Sequence, residues 1–163
     1  FRMPLLERTP SEQSMRRIIL ALLCAATLSA CSLSPGRDPY AGYQQNFGTY
    51  VANSGVNTFC LVPNLRLAIW SIESFFRKRV VVSSGYRDPW HNADVGGKDD
   101  SYHMKCMAAD LFIPGVDKSR LIAYAYRNPL IGGLGCYPGR VFIHIDVRQR
   151  PRGWGHPVTF SGC

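Results

Sequence analysis

The chain has 163 residues, a length that normally folds as one domain and leaves no room for a second full one. With 46% hydrophobic, 12% aromatic and 18% charged residues it can build a core, which excludes a disordered chain. Lys and Arg outnumber Asp and Glu by 19 to 11, and the net charge of +8 favours anionic partners. No basic stripe interleaved with aromatics and no zinc-finger spacing is present, so nucleic acid is not the expected partner.

Met15-Arg16-Arg17 is followed by a mainly apolar run, Ile18 to Ala30, that is too short to span a membrane as a helix and ends on small residues. This is the shape of an export signal, and residues 1–14 ahead of it read as an upstream extension. Leu28-Ser29-Ala30-Cys31 resembles a bacterial lipobox, so the expectation is lipidation at Cys31 and a lipoprotein-type signal over 15–31, with ordinary signal cleavage as the alternative. In the resembling lipoproteins an uncharged residue such as Ser32 goes with outer-membrane delivery, which implies a periplasm-facing protein; simple secretion is the alternative. Cys60, Cys106, Cys136 and Cys163 then remain, an even number in an oxidising compartment. Two disulfides are expected, read as Cys106 with Cys136 and Cys60 with Cys163, although spacing alone does not choose among the three connectivities.

Residues 32–59 read as a tether and an irregular segment, and 60–163 as the functional domain. From Pro63, Leu65, Ala68, Ile69, Ile72, Phe75 and Phe76 recur at helical spacing, with Arg77-Lys78-Arg79 where cations suit a helix C-terminus. Val80 to Val82 predicts a buried strand, followed by a loop from Ser83 through Asp88-Pro89 to Gly96-Gly97. Met107 to Ile113 predicts a second strand, and Asp117 to Arg127 a second helix with Leu121, Ile122, Ala125 and Tyr126 on one face. Gly132 to Gly135 and Val141 to Val147 predict two more strands joined by a turn at Tyr137-Pro138-Gly139. The sum is an α+β domain with a small, mainly antiparallel sheet and flanking helices.

The chemistry lies in two of the four histidines. His103 is followed by Asp110, and His144 and Asp146 stand two apart in a predicted strand, where they share one face. Two imidazoles and a carboxylate form a three-ligand set that leaves zinc an open position, the arrangement of a catalytic rather than a structural site. A satisfied histidine is the commoner meaning of such spacing alone.

The order of motifs carries more. Ser84-Gly85-Tyr86-Arg87, His91-Asn92, Val95-Gly96-Gly97, Ser101-Tyr102-His103, Ala108-Ala109-Asp110, Gly132 to Gly135 with Tyr137-Pro138, and Phe142 to Asp146 with Trp154 together resemble the zinc D-alanyl-D-alanine carboxypeptidase and murein endopeptidase family that shares its fold with the Hedgehog signalling domain. The likeness runs from about Val80 to Trp154 and points to the small, exported, single-domain branch. It implies one Zn²⁺ per chain on His103, Asp110 and His144, Arg87 binding a carboxylate or a developing oxyanion, and Ser101 and Tyr137 lining the substrate path. Ser101 either orients His103 or caps a turn.

Many relatives carry an acidic residue three positions before the last zinc histidine, where this chain has Val141. Asp146 is therefore the expected general base, with a metal-ligand role as the alternative, and His91 and His156 stand behind it. The resemblance implies a monomeric peptidase hydrolysing D-amino-acid-containing bonds of peptidoglycan peptides, as carboxypeptidase or endopeptidase and on DD or LD bonds. The alternative is a non-catalytic, zinc-stabilised cell-wall binding module on the same fold.

Overall fold

The computed structural model describes residues 37–163; the leader, Cys31 and the first part of the tether lie outside the described residues. Three helices and a seven-stranded sheet are built from Pro39–Cys163. The strands are β1 (Gln44–Asn46), β2 (Thr49–Val51), β3 (Val81–Ser84), β4 (Ala108–Phe112), β5 (Gly133–Gly135), β6 (Ile143–Asp146) and β7 (Val158–Phe160). They lie in the order β1-β2-β3-β4-β6-β5-β7, with β2–β3 and β5–β7 parallel and the other neighbours antiparallel. The fold is α+β, as expected.

Helix α1 (Pro63–Phe76) starts with proline at its first turn, where the missing N–H costs nothing. It stops at Arg77, whose left-handed backbone (φ 51°) returns its N–H to the Glu73 carbonyl. The predicted basic last turn therefore falls outside the helix, and Arg79 pairs instead with Glu73 at 2.9 Å. Leu65, Ala68, Ile69 and Ile72 of α1, with Leu121 and Ala125 of α3 (Lys118–Arg127), pack on one face of the sheet against Val82, Ala109, Leu111, Ile143 and Ile145. Because strand side chains alternate, the residues between these, Asp110, His144 and Asp146, face the other way. One sheet face is core and the other carries chemistry.

Three local expectations change. The segment 38–59, read as irregular, supplies β1 and β2, strands of three residues each, the first of them wholly polar. The loop after Arg87 contains a short helix α2 (Pro89–Asp94), capped by the Asp88 side chain accepting from the His91 N–H at 2.9 Å. The disulfides are Cys60–Cys106 and Cys136–Cys163, not the pairing read from the sequence. The reason is topological: the Val62 N–H donates to the Cys106 carbonyl, which seats the lead-in to α1 on the His103 turn. Parallel pairing of β5 with β7 sets Gly135 against Phe160 and so brings Cys136 to Cys163.

Cys60–Cys106 closes a span of 46 residues, for which loop entropy contributes about 4 kcal/mol. The double variant Cys60→Ser/Cys106→Ser should melt about 10–20 °C lower by calorimetry. An unchanged melting temperature would show that the bridge does not constrain the unfolded chain.

Candidate metal centre

Strand register builds the centre. β4 and β6 pair antiparallel with Asp110 directly opposite His144, so a carboxylate and an imidazole on the same face meet side by side. His103 arrives from the 3-10 turn Tyr102–Lys105, and its Nδ1 lies 2.7 Å from the Gly85 carbonyl. A carbonyl only accepts, so the ring proton sits on Nδ1 and the Nε2 lone pair of the neutral ring points inward. Nε2 is 3.2 Å from Asp110 Oδ1 and 3.1 Å from His144 Nδ1, and those two are 2.9 Å apart.

His144 Nε2 donates to Asp146 Oδ2 at 3.2 Å, which leaves Nδ1 of the neutral ring as a third inward lone pair. Three acceptors this close repel unless a cation sits among them. Tetrahedral zinc, with donors about 2.0–2.1 Å away, spaces them about 3.3–3.4 Å apart, close to the separations here. The donor set therefore fits a zinc ion. In the metal-free protein a proton on His144 serves instead: burial lowers its pKa, but the bonds to Asp110 and Asp146 outweigh burial and raise it.

The partners behind the ligands are equally defined. Arg87 Nη2 donates to Asp110 Oδ2 at 2.7 Å and its Nε to Ser84 Oγ at 2.8 Å, so the outer carboxylate oxygen is pinned while the inner one faces the centre. Burial would raise the Asp110 pKa, yet the two imidazoles set against it, His103 and His144, hold it well below the carboxylate range. Asp146 is fully buried and accepts from Arg148 Nε at 2.8 Å, Arg148 Nη2 at 2.6 Å and the Arg148 backbone N–H at 3.0 Å. Burial pushes its carboxyl up, but the bonds from His144 and Arg148 prevail and hold it at about 2.

Asp146 thus stays ionised through the ordinary carboxylate range. In the metal-free protein its pairing contributes fully above pH of about 4 and is lost as pH falls through about 2. Acid titration of stability should show this loss in wild type and not in Asp146→Asn. An identical acid limb in the two proteins would remove Asp146 from the acid response.

His103, Asp110, His144 and Arg87 all line one cleft of about 910 Å³, together with Ser101, Tyr137 and His91. Ser101 accepts the His103 backbone N–H at 3.3 Å, so it caps the turn rather than touching the ring. Tyr137 takes a left-handed backbone (φ 44°), and its carbonyl accepts from Lys118 Nζ at 2.7 Å. His156 is absent from the cleft lining and stacks on Tyr126.

Asp146, the expected base, lies elsewhere. It is on the opposite ring nitrogen of His144 from the ligand meeting point, outside the cleft lining. A carboxylate with no exposed area and every bond committed does not reach water in the cleft. The residue that sequence reasoning missed is Arg148; His144, Asp146 and Arg148 follow a period of two, and that alternation was the available signal. Gly133, opposite Asp146 in β5, is also part of the centre, because a Cβ there would strike the Asp146 carboxylate. Gly133→Ala should displace Asp146 and weaken metal retention, which a zinc titration reads; full zinc affinity would show that the pocket yields.

The same stretch of chain is what comparison with known proteins picks out. The probable peptidoglycan L,D-endopeptidase MepK of Haemophilus influenzae is 36% identical over 95 residues, covering 52% of this chain and 50% of that protein. The peptidoglycan L,D-endopeptidase MepK of Escherichia coli is 38% identical over 76 residues, covering 44% of this chain and 41% of its own length. The matches span about half the length of these curated relatives or less. The family model described as Peptidase M15 matches residues 46–146, from the first hairpin through His144 and Asp146 and across every element that supplies the centre, so the chain belongs to the peptidase M15 family.

Proposed function

We propose that this chain is a zinc-dependent peptidase that hydrolyses an internal, D-amino-acid-containing bond of peptidoglycan, of the L,D-endopeptidase kind its relatives are named for. One observation carries the reading: three lone pairs converge within 2.9–3.2 Å in the lining of an open cleft. A closed structural site would use a fourth protein ligand, more often a thiolate, and all four cysteines of the described residues are in disulfides. A zinc ion held there by His103, Asp110 and His144 would lower the pKa of a water and polarise a carbonyl.

The chain's own residues do the rest. Arg87 holds Asp110 with one guanidinium nitrogen, and from the cleft wall it meets the peptide's carbonyl or carboxylate oxygen with its remaining donors. Asp146 fixes the His144 tautomer. Val141, at the position where many members of the resembling family carry an acid, is exposed and cannot move a proton. His91 is the cleft-lining imidazole outside the ligand set, and we assign it the proton transfer from attacking water to leaving amine. His91→Ala should keep zinc and lower kcat by about 10²- to 10⁴-fold; unchanged kcat would return the role to another group.

The competing reading, a metal-stabilised binding module, draws on Val141. Digestion of purified murein by the zinc-loaded protein separates the two: released cross-link peptides, identified by mass, support the peptidase. Full zinc with tight murein binding and no release would leave the module. The two disulfides favour export into an oxidising compartment. If Cys31 is the lipidated residue, Cys31→Ser should move the protein from the membrane to the soluble fraction, and unchanged fractionation would mean simple secretion.

A further inference from the structure

Arg148 lines the cleft, and no step of the proposed mechanism uses it. Its guanidinium has two edges in different situations. The inner edge, Nε and Nη2, is spent on Asp146. Nη1 has no hydrogen-bond partner among the described residues, and the side chain is 24% exposed at the cleft. The plane between these edges is fixed on its apolar side, with the Tyr102 ring centroid 4.4 Å and the Phe160 centroid 5.4 Å from the guanidinium carbon. Such a group is held before ligand arrives, so little rotamer entropy is lost when it binds.

Charge on the lining points to the kind of ligand. Among the described residues, Arg87, Arg148, Lys98 and Arg140 face the cleft against Asp110 and Asp100 alone, and Asp110 is committed to the centre. Exposed Asp100, in the same lining, attracts Arg148 electrostatically, more weakly than the buried Asp146 does.

We propose that Arg148 is a specificity-determining residue whose Nη1 edge binds a free carboxylate of the peptide substrate, beside the scissile bond and across the centre from Arg87. The inference rests on the peptidase reading above. It places a second anionic contact on the His144 side, held by the same Asp146 that orients the metal ligand.

The test uses the zinc-loaded full chain and two probes: a peptide released from murein, with its carboxylates free, and the same peptide with those carboxylates converted to primary amides. Wild type should prefer the free form in kcat/KM, and Arg148→Gln should lose about 10–100-fold of that preference, the worth of a charge-assisted hydrogen bond. Zinc is kept saturating and its content measured, so that a loosened Asp146 is not mistaken for lost recognition. Asp100→Asn should raise the preference, because it removes the competing carboxylate. Should Arg148→Gln fail to fold, Arg148→Lys carries the test, since one ammonium on Asp146 leaves no second edge for the peptide.

If wild type cleaves neither peptide, the peptidase reading has failed, and the preference is then read as binding of the same two probes by calorimetry. Equal treatment of the two probes by wild type, or an undiminished preference in both Arg148 variants, would overturn the inference.

Discussion

His103→Ala should leave the protein without zinc and with murein hydrolysis reduced beyond the about 10–100-fold that losing a supporting partner of a metal ligand costs. His103 is buried, and its Nε2 forms two of the three short edges of the donor triangle. Asp110 and His144 alone cannot supply the three protein ligands of a catalytic zinc. The turn that carries the ring is held independently of it, by the Cys60–Cys106 bridge and by Ser101 accepting the backbone N–H at residue 103. The variant should therefore fold.

A thermal titration makes the argument quantitative. Zinc at 1,000 times its dissociation constant stabilises a single-site protein by about 4 kcal/mol, so wild type should melt several degrees higher with zinc than with chelator. His103→Ala should melt alike in both. A variant that still gains stability from zinc and still digests murein would remove His103 from the centre and with it the three-donor reading.

Strand periodicity made one face of this centre legible in the sequence, while the ligand set was implied by the family resemblance. His144 and Asp146 two apart had to share a face, and the apolar residues Ile143 and Ile145 between and beside them had to form the core. The same rule, carried one step further, reaches Arg148. What periodicity does not give is depth along a face. Whether Asp146 opens to the cleft or lies behind His144 depends on which ring nitrogen each neighbour meets, and that is set by the register of β4 against β6 and by the space that Gly133 leaves. Disulfide pairing was hidden for a similar reason. It follows from the parallel β5–β7 contact and from the seat of α1 on the His103 turn, both long-range facts with no local pattern. β1 was missed because Gln44 to Asn46 is polar and short, and pairing within the sheet rather than propensity makes it a strand; β2, Thr49 to Val51, is made of strand formers but is only three residues long.

The role of Asp146 is where sequence and structure part, and Asp146→Asn separates them. As a base, Asp146 would leave zinc in place and take about 10²- to 10⁴-fold of turnover with it. The geometry predicts the reverse order of effects. The carboxylate accepts from His144 Nε2, from two guanidinium nitrogens of Arg148 and from the Arg148 backbone N–H. An amide has only one accepting oxygen, so its Nδ2 must face a donor. Turned toward His144, it selects the tautomer with the proton on Nδ1, the atom that points at the metal position. Turned toward Arg148, it sets donor against donor beside a guanidinium that has lost its counter-charge. Breaking a buried pair costs about 3–5 kcal/mol, and the partial exposure of Arg148 trims this to about 1–3 kcal/mol here. Zinc affinity, measured against a competing chelator, should fall about 10–100-fold, and hydrolysis should recover as zinc is raised to saturation. Unchanged zinc affinity with turnover still collapsed at saturating zinc would restore Asp146 as the base, and would require its carboxylate to leave the Arg148 pair and enter the cleft during the reaction.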